Sequence, residues 1–443
     1  MNVVLNSNII VWFILLQPIL DLITSIMIRT AGTSITIGLI ARSLFMIYLI
    51  VYVLAIKNGD NKYIKYSKTI MVLILSYIVI FLAMSIMGRD RSMFIGELKG
   101  LIKAFYFPIT LCGLFVCNIK DKIDISNKLL MITLFGYTII IFLATITNTY
   151  FNSYNANGFG SVGWFYAANE IGSIISILIP FTVANIIQSK ISTINIIYIS
   201  VCVLSCIFLG TKVPFLGLVG VCSFVIVYYT ILQFAKKANK LKVPTFNYGK
   251  IISICTGVII AMVVMFPFSP LYKNIQQNYS GIINKIASRV KEEPAKEENN
   301  QVSKDELVTA VLSQRNVYAE QMKNKFKKAN IQEKLFGMGY NVKIRAADGN
   351  ITTKTIELDQ LDILYRHGII GSLIYSIQFI IILSYILKQI FLNLKYILNI
   401  DVIMSIISMI LALGIAFSAG HVLTAPGVGI FLIIATIKLY NII

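Results

Sequence analysis

The sequence predicts an all-α, polytopic membrane protein of about twelve transmembrane helices, with one large extracytoplasmic helical loop between helices 9 and 10. Three observations predict it. First, 57% of the 443 residues are hydrophobic and only 13% are charged, with a mean hydropathy of +0.78, a balance far from that of a water-soluble domain. Second, twelve apolar stretches approach the ~20 residues that cross a bilayer; they lie near residues 9–28, 35–56, 69–87, 100–117, 129–148, 166–187, 193–209, 213–234, 251–268, 367–387, 401–419 and 422–440. Third, the cations are sorted. With the N-terminus inside, Lys57, Lys62, Lys65, Lys68, Lys120, Lys122, Lys128, Lys190, Lys236, Lys237, Lys240, Lys242, Lys250, Lys388, Lys395 and Lys438 fall on the cytoplasmic side, while the short outer loops and their helix margins hold only Arg29, Arg89, Arg91, Lys99, Lys103 and Lys212. This positive-inside pattern explains the +19 net charge without nucleic acid.

The same pattern divides the chain into residues 1–268 (helices 1–9), 269–366 (the outer loop) and 367–443 (helices 10–12). Cys112, Cys117, Cys202, Cys206, Cys222 and Cys255 all fall within predicted helices, so no disulfide framework or thiolate metal site is expected. No small-residue cleavage site follows the first helix, which reads as a retained span.

The first helix carries Gln17-Pro18-Ile19-Leu20-Asp21. An ionisable group at that depth costs about 2.5–3.5 kcal/mol on insertion scales and faces a bundle interior. Arg42, in the second helix, is its candidate partner; the two readings are a structural pair and a contact to an anionic ligand. Residues 149–165 form an outer loop without charge, rich in Asn, Gly and aromatics, leading into Trp164-Phe165-Tyr166-Ala167-Ala168-Asn169-Glu170. That composition suits a carbohydrate, and it also suits an interfacial aromatic belt. Lys212 stands at the outer start of the eighth span, two residues before Pro214, as a snorkelling lysine or as a cation placed toward an anion.

Within the outer loop, residues 272–290 read as an amphipathic helix and Lys291 to Asn300 as a charged linker. A capping box at Ser303-Lys304-Asp305-Glu306 opens a helix running to about Asn330. On that helix Leu307, Val311, Tyr318, Met322 and Phe326 make an apolar stripe, and Arg315 falls on the stripe instead of the solvated face. A guanidinium turned inward is paired, either with a protein carboxylate or with a bound carboxylate or diphosphate. Gly337-Met338-Gly339 reads as a turn. The loop re-enters through Glu357-Leu358-Asp359-Gln360-Leu361-Asp362 toward Arg366, His367, Gly368 and Gly371. On a continuous helix Glu357 would stand roughly three turns above Gly368 on one face, over the mouth of the bundle; the alternative is a solvated carboxylate. Arg366 and His367 read as interfacial anchors.

These motifs resemble, in order and topology, the O-antigen ligase and O-antigen polymerase superfamily, and the resemblance covers most of the chain from about Gly158. That superfamily's Arg-x-x-x-Leu is approximated by Lys212-Val213-Pro214-Phe215-Leu216. Its Gly-Arg and Leu-x-Gly-x-Gly loop motifs are approximated by Gln314-Arg315 and Leu335-Phe336-Gly337-Met338-Gly339. Its His-[Asn/Ser/Gln]-x9-Gly-x-x-Gly aligns with Glu357-Leu358 and Gly368-Ile369-Ile370-Gly371, glutamate standing for histidine. Ala168-Asn169-Glu170 and Gly420-His421 with Pro426 also fit.

The resemblance implies a membrane glycosyltransferase acting at the outer face of a bacterial cytoplasmic membrane on undecaprenyl-diphosphate-linked glycans. It implies inverting chemistry and a second glycan or cell-surface molecule as acceptor; no Asp-x-Asp or His cluster of ligand quality appears in the outer loop, so no metal and no cofactor are expected. Polymerisation of repeat units for a surface polysaccharide is the first expectation, ligation of finished polysaccharide the second, and transport of a lipid-linked oligosaccharide the non-enzymatic alternative. The expected catalytic residues are Glu357 and Asp359. Arg315 and Lys212 are expected on the diphosphate, and Asn169, Glu170, Arg366, His367 and Arg42 are further candidates for substrate binding. A carboxylate can replace a histidine base, whereas a lysine does not reproduce arginine's bidentate fork.

Overall fold

Apolar runs punctuated by capping residues fold into helices throughout. The computed structural model describes residues 7–33, 35–57, 61–88, 94–154, 158–190, 192–237, 246–277, 315–345, 351–353 and 356–443. The charged linker at 291–300, the capping box at Ser303 and most of the amphipathic helix expected at 272–290 lie outside these residues.

The helices are α1 Ser7–Leu15, α2 Gln17–Ala31, α3 Ile37–Ala55, α4 Lys62–Gly88, α5 Phe94–Asp121, α6 Asn127–Ile146, α7 Ala168–Gln188, α8 Thr193–Phe208, α9 Lys212–Lys237, α10 Tyr248–Met265, α11 Arg315–Lys328, α12 Ile331–Phe336, α13 Asp359–Leu392, α14 Ile400–Ser418 and α15 Pro426–Ile442. Among the described residues nine helices are long and apolar enough to cross a membrane, and ten if α1 and α2, bent by 47° ahead of Pro18, make one span. The stretches predicted at 193–209 and 422–440 form α8 and α15, apolar helices of 16 and 17 residues that fall short of that length. Local chemistry sets the starts: Thr36, Ser126, Ser192 and Asn247 each accept a backbone N–H of the first turn of α3, α6, α8 and α10, the usual N-cap bond.

Burial sorts centre from edge. In α5 and α7 the apolar windows are 83% and 78% buried, against 22% for the span containing α10, and α15, packed against both α5 and α7, is buried on nearly every face. These three helices form the axis of the bundle. Outside it, α11 lays Tyr318, Met322 and Phe326 on a second cluster with Met338, Ile344, Ile356, Leu358 and Tyr365, so this part of the stripe is a packing face, while Leu307 and Val311 lie outside the described residues. A two-residue antiparallel ladder pairs β1 Ile344–Arg345 with β2 Ile351–Thr352.

One expectation about the re-entry needs correction. The chain does not descend from Glu357 as one continuous helix: Glu357 precedes α13 with φ of +63°, and α13 itself is broken at Gly368, where φ is 69° and ψ is −173°. The break frees the carbonyls of Tyr365 and Arg366, which accept instead from the N–H groups of Met338 (3.0 Å) and Gly339 (3.1 Å). Two glycines make this contact sterically accessible. A Cβ on Gly337 would lie 2.0 Å from the Arg366 carbonyl oxygen, and one on Gly368 would lie 2.5 Å from the Gly337 nitrogen. The Gly-Met-Gly turn thus supplies the hydrogen bonds that the spanning helix gives up.

Candidate functional site

The N-terminal ends of α3, α5, α7, α13 and α15 point to the same side of the bundle, and with the C-terminal half of α2 they enclose a cavity of ≈ 620 Å³. Glu357, Glu170, His421, Lys99 and Lys103 are among its lining residues, as are Arg42 and Asp21. Each helix start carries fractional positive charge from its unsatisfied N–H groups, so the backbone favours an anion there.

Two buried aspartates fix the loops that bear the reactive side chains. Asp359, fully buried, accepts from the backbone N–H groups of His421 (3.0 Å), Val422 (2.8 Å) and Leu423 (2.7 Å) and from the Thr424 hydroxyl (2.8 Å). Asp362 accepts from the N–H groups of Ile356 (3.2 Å) and Glu357 (3.1 Å) and from Arg366 Nε (3.0 Å). The backbone of Gly420 then packs on that of Glu357, where a Cβ would come within 2.6 Å of the Glu357 carbonyl. Glu357 and His421, both at φ of +63°, are held in a backbone conformation that side-chain-bearing residues rarely adopt.

The result is a charged cluster at one wall. Arg315 Nη2 donates to Glu357 Oε2 at 2.9 Å, and His421 Nε2 lies 3.8 Å from the same oxygen. Burial alone would lower the His421 pKa, but the Glu357 carboxylate beside it and the nearby charges of Glu170 and Asp359 outweigh that and raise it. Arg315 also acts on Tyr154 of the 149–165 loop, partly offsetting the upward push that burial gives the phenol.

A family model for O-antigen ligase-like membrane proteins matches residues 5–442, almost the whole chain. The chain belongs to that family. No curated protein and no solved structure matches it.

Of those candidates, the structure brings together Glu357 and Arg315, and it puts Glu170, Arg42, Asp359, Arg366 and His367 on the same cavity. Arg42 is engaged inside it: Nη2 donates to Asp21 Oδ1 at 2.6 Å and to Gln17 Oε1 at 2.7 Å, and Tyr137 donates to the other Asp21 oxygen at 2.7 Å. Asp21 and Arg42 thus form an ion pair on the lining of the cavity. Arg366 binds Asp362 and the Tyr340 carbonyl and lies over the Tyr340 ring. His367 is buried, with Nε2 2.7 Å from the Tyr340 hydroxyl and Nδ1 3.3 Å from that of Tyr77, amid Phe81 and Phe105. Arg366 and His367 thus tie α13 to the Gly337–Asn341 turn. Asn169 and Lys212 are not among the residues that line the cavity.

The structure also adds residues. Glu97 of α5, 1% exposed, accepts from the N–H groups of Tyr340 (2.9 Å) and Asn341 (3.1 Å) and from the Asn341 side chain (2.8 Å), docking the turn on α5. His421 enters through the loop before α15; in the sequence only its Gly-His pair marked it. Lys99 and Lys103 read as topological charges at a helix margin, and only their spacing with Gly96, Gly100 and Ala104 signals a shared face. Among the described residues no group of three or more His, Cys, Asp or Glu side chains has metal-site geometry.

Proposed function

We propose that this protein transfers a glycan from a polyprenyl diphosphate to an acceptor sugar at the outer face of the cytoplasmic membrane, polymerising lipid-linked repeat units with inversion. The observation that carries this reading is that Glu357 and His421 line a cavity formed by helix N-termini while Arg315 pairs with the Glu357 carboxylate. In the proposed step an acceptor hydroxyl oxygen attacks the anomeric carbon, and the bond from that carbon to the diphosphate oxygen breaks. The lipid diphosphate leaves with the electron pair, and the hydroxyl proton passes to Glu357. Arg315, through its ion pair, fixes which way the Glu357 carboxylate faces; His421 shares the same oxygen and the same role. Asp359, with four donors already on it, is assigned to holding the His421 loop and not to proton transfer.

The test is incubation of purified protein with a single lipid-linked repeat unit. A ladder of products extended in steps of one unit is the expected result. Transfer only when a second, chemically different acceptor is added would make the protein a ligase, and movement of intact substrate across vesicles without any new glycosidic bond would make it a transporter.

A further inference from the structure

At the start of α7 the cavity is bordered by an aromatic ring and a carboxylate to which the transfer step above gives no task. Tyr166, just ahead of the Ala167 cap, and Glu170, in the first turn of α7, both line it. Tyr166 is 53% exposed, which leaves ring surface for a ligand to cover. Among the described residues Glu170 takes part in no hydrogen bond and no ion pair, whereas Glu357 is paired with Arg315. His421 feels the charge of Glu170 as well as that of Glu357, so the two carboxylates share one neighbourhood.

The segment ahead of Tyr166 holds it in place. Residues 149–165 carry no charge, and their described part folds back on itself. The N–H groups of Phe151 and Ser153 donate to the carbonyls of Gly163 (2.8 Å) and Gly160 (3.0 Å), and that of Val162 donates to Phe151 (3.0 Å). Asn274, buried, accepts from the Phe159 N–H and donates to the Phe159 carbonyl, both at 2.7 Å. Arg29 donates to the carbonyls of Phe165 (3.3 Å) and Tyr166 (3.4 Å), with its guanidinium 3.9 Å from the centre of the Phe151 ring and 5.3 Å from that of Tyr166.

We propose that Tyr166 and Glu170 form the subsite for the acceptor saccharide, and that the sugar held there is an uncharged pyranose. The assignment rests on the glycosyl-transfer reading given above. One face of a pyranose presents C–H groups, which pack on the electron-rich face of an aromatic ring. The hydroxyls around its edge donate to a carboxylate in short, charge-assisted hydrogen bonds. Glu170 takes hydroxyls that do not react, and the reacting one is left to Glu357. A uronic acid would bring its own charge against an unpaired carboxylate, so the subsite disfavours it. Because the segment before Tyr166 is already tied down, little ordering is left for the sugar to impose. A tyrosine of an interfacial belt faces lipid headgroups, whereas Tyr166 borders the cavity that Glu357 also lines.

The experiment uses the full-length protein in lipid nanodiscs. The donor is a lipid-linked repeat unit methylated at its acceptor hydroxyl, and the acceptor is the unmethylated oligosaccharide released from its lipid by mild acid. Tyr166→Ala and Glu170→Gln should each raise the acceptor KM about tenfold, with kcat and the donor KM little changed. Tyr166→Phe, which keeps the ring, should stay near wild type. Trp12→Ala, which removes an exposed ring from α1, should change neither KM. An oligosaccharide ending in a uronic acid should be the poorer acceptor for the wild type, and Glu170→Gln should narrow that gap. An unchanged acceptor KM in both variants overturns the subsite. So do losses shared equally by donor and acceptor that track a lower melting temperature, the mark of a belt or packing role. Saturation-transfer NMR of the released oligosaccharide on the same samples tells this failure from that of the function. If the wild type binds the oligosaccharide, Tyr166→Ala does not, and no lipid-linked donor is ever used, glycosyl transfer falls and the saccharide site stands. A wild type that transfers from lipid-linked donors but does not bind the oligosaccharide removes the subsite alone.

Discussion

Arg315 and Glu357, 42 positions apart, close a 2.9 Å ion pair whose side chains are only 11% and 16% exposed. One comes from α11, the other from the turn before α13, so the pair ties α11 to the cavity wall. Substituting Glu357 by Gln keeps the shape and removes the proton acceptor proposed above. Transfer should fall by about 10²–10⁴-fold while the protein inserts and purifies normally. Arg315→Ala should fall less, and the double variant should be no worse than Glu357→Gln alone, because positioning has no value without the base. Additive losses in a double-mutant cycle of transfer rates would separate the two roles.

His421 gives the site a pH signature. Its pKa in the folded protein is raised above the ordinary imidazole value of 6.5, so the folded state holds the proton more tightly than the unfolded chain. The stabilisation is fully present below the unfolded value and is lost as pH climbs through the raised folded value. Melting temperature should therefore decline on the alkaline side of 6.5, and His421→Gln should flatten that decline. A pH series of thermal melts on both proteins is the measurement.

Asp359 is predicted to be structural in a measurable sense. Asp359→Ala removes the acceptor for three backbone N–H groups and one hydroxyl. A buried donor left without a partner costs about 1–3 kcal/mol, so the variant should melt many degrees lower and lose the His421 loop. If Asp359→Ala folded at wild-type stability yet was inactive, proton transfer by Asp359 would be the better account.

The break in α13 can be tested by glycine substitutions. Gly368→Ala forces a side chain into φ of 69° and onto the Gly337 backbone; the strained backbone alone costs about 1–3 kcal/mol. Gly257→Ala in α10, where nothing lies within 4 Å of the added Cβ, should be neutral or stabilising by about 0.5–1 kcal/mol. Melting temperatures that do not separate the two variants would show that the break is not sterically required.

Much of this arrangement is legible in the chain. Hydropathy marks the helices because a bilayer demands long apolar runs whatever the tertiary contacts, and Asp21 and Arg42 identify each other because a charge at that depth needs a partner. The inward turn of Arg315 follows from periodicity alone. What stays hidden is backbone conformation away from helix period. Gly368 within an apolar run looks like a close-packing residue, and no pattern says that Gly337 will meet it. Lys99 and Lys103 carry the same charge wherever they face, so their place on the cavity lining depends on which way α5 is rotated in the bundle.

The seam between Gly337 and Gly368 has a mechanical consequence. The outer turn cannot lift off the spanning helix without stripping the Tyr365 and Arg366 carbonyls of their donors, and water would have to enter to replace them. The seam acts as a latch: the Gly337–Asn341 turn and the first turns of α13 shift together or not at all, and whatever displaces one drags the other.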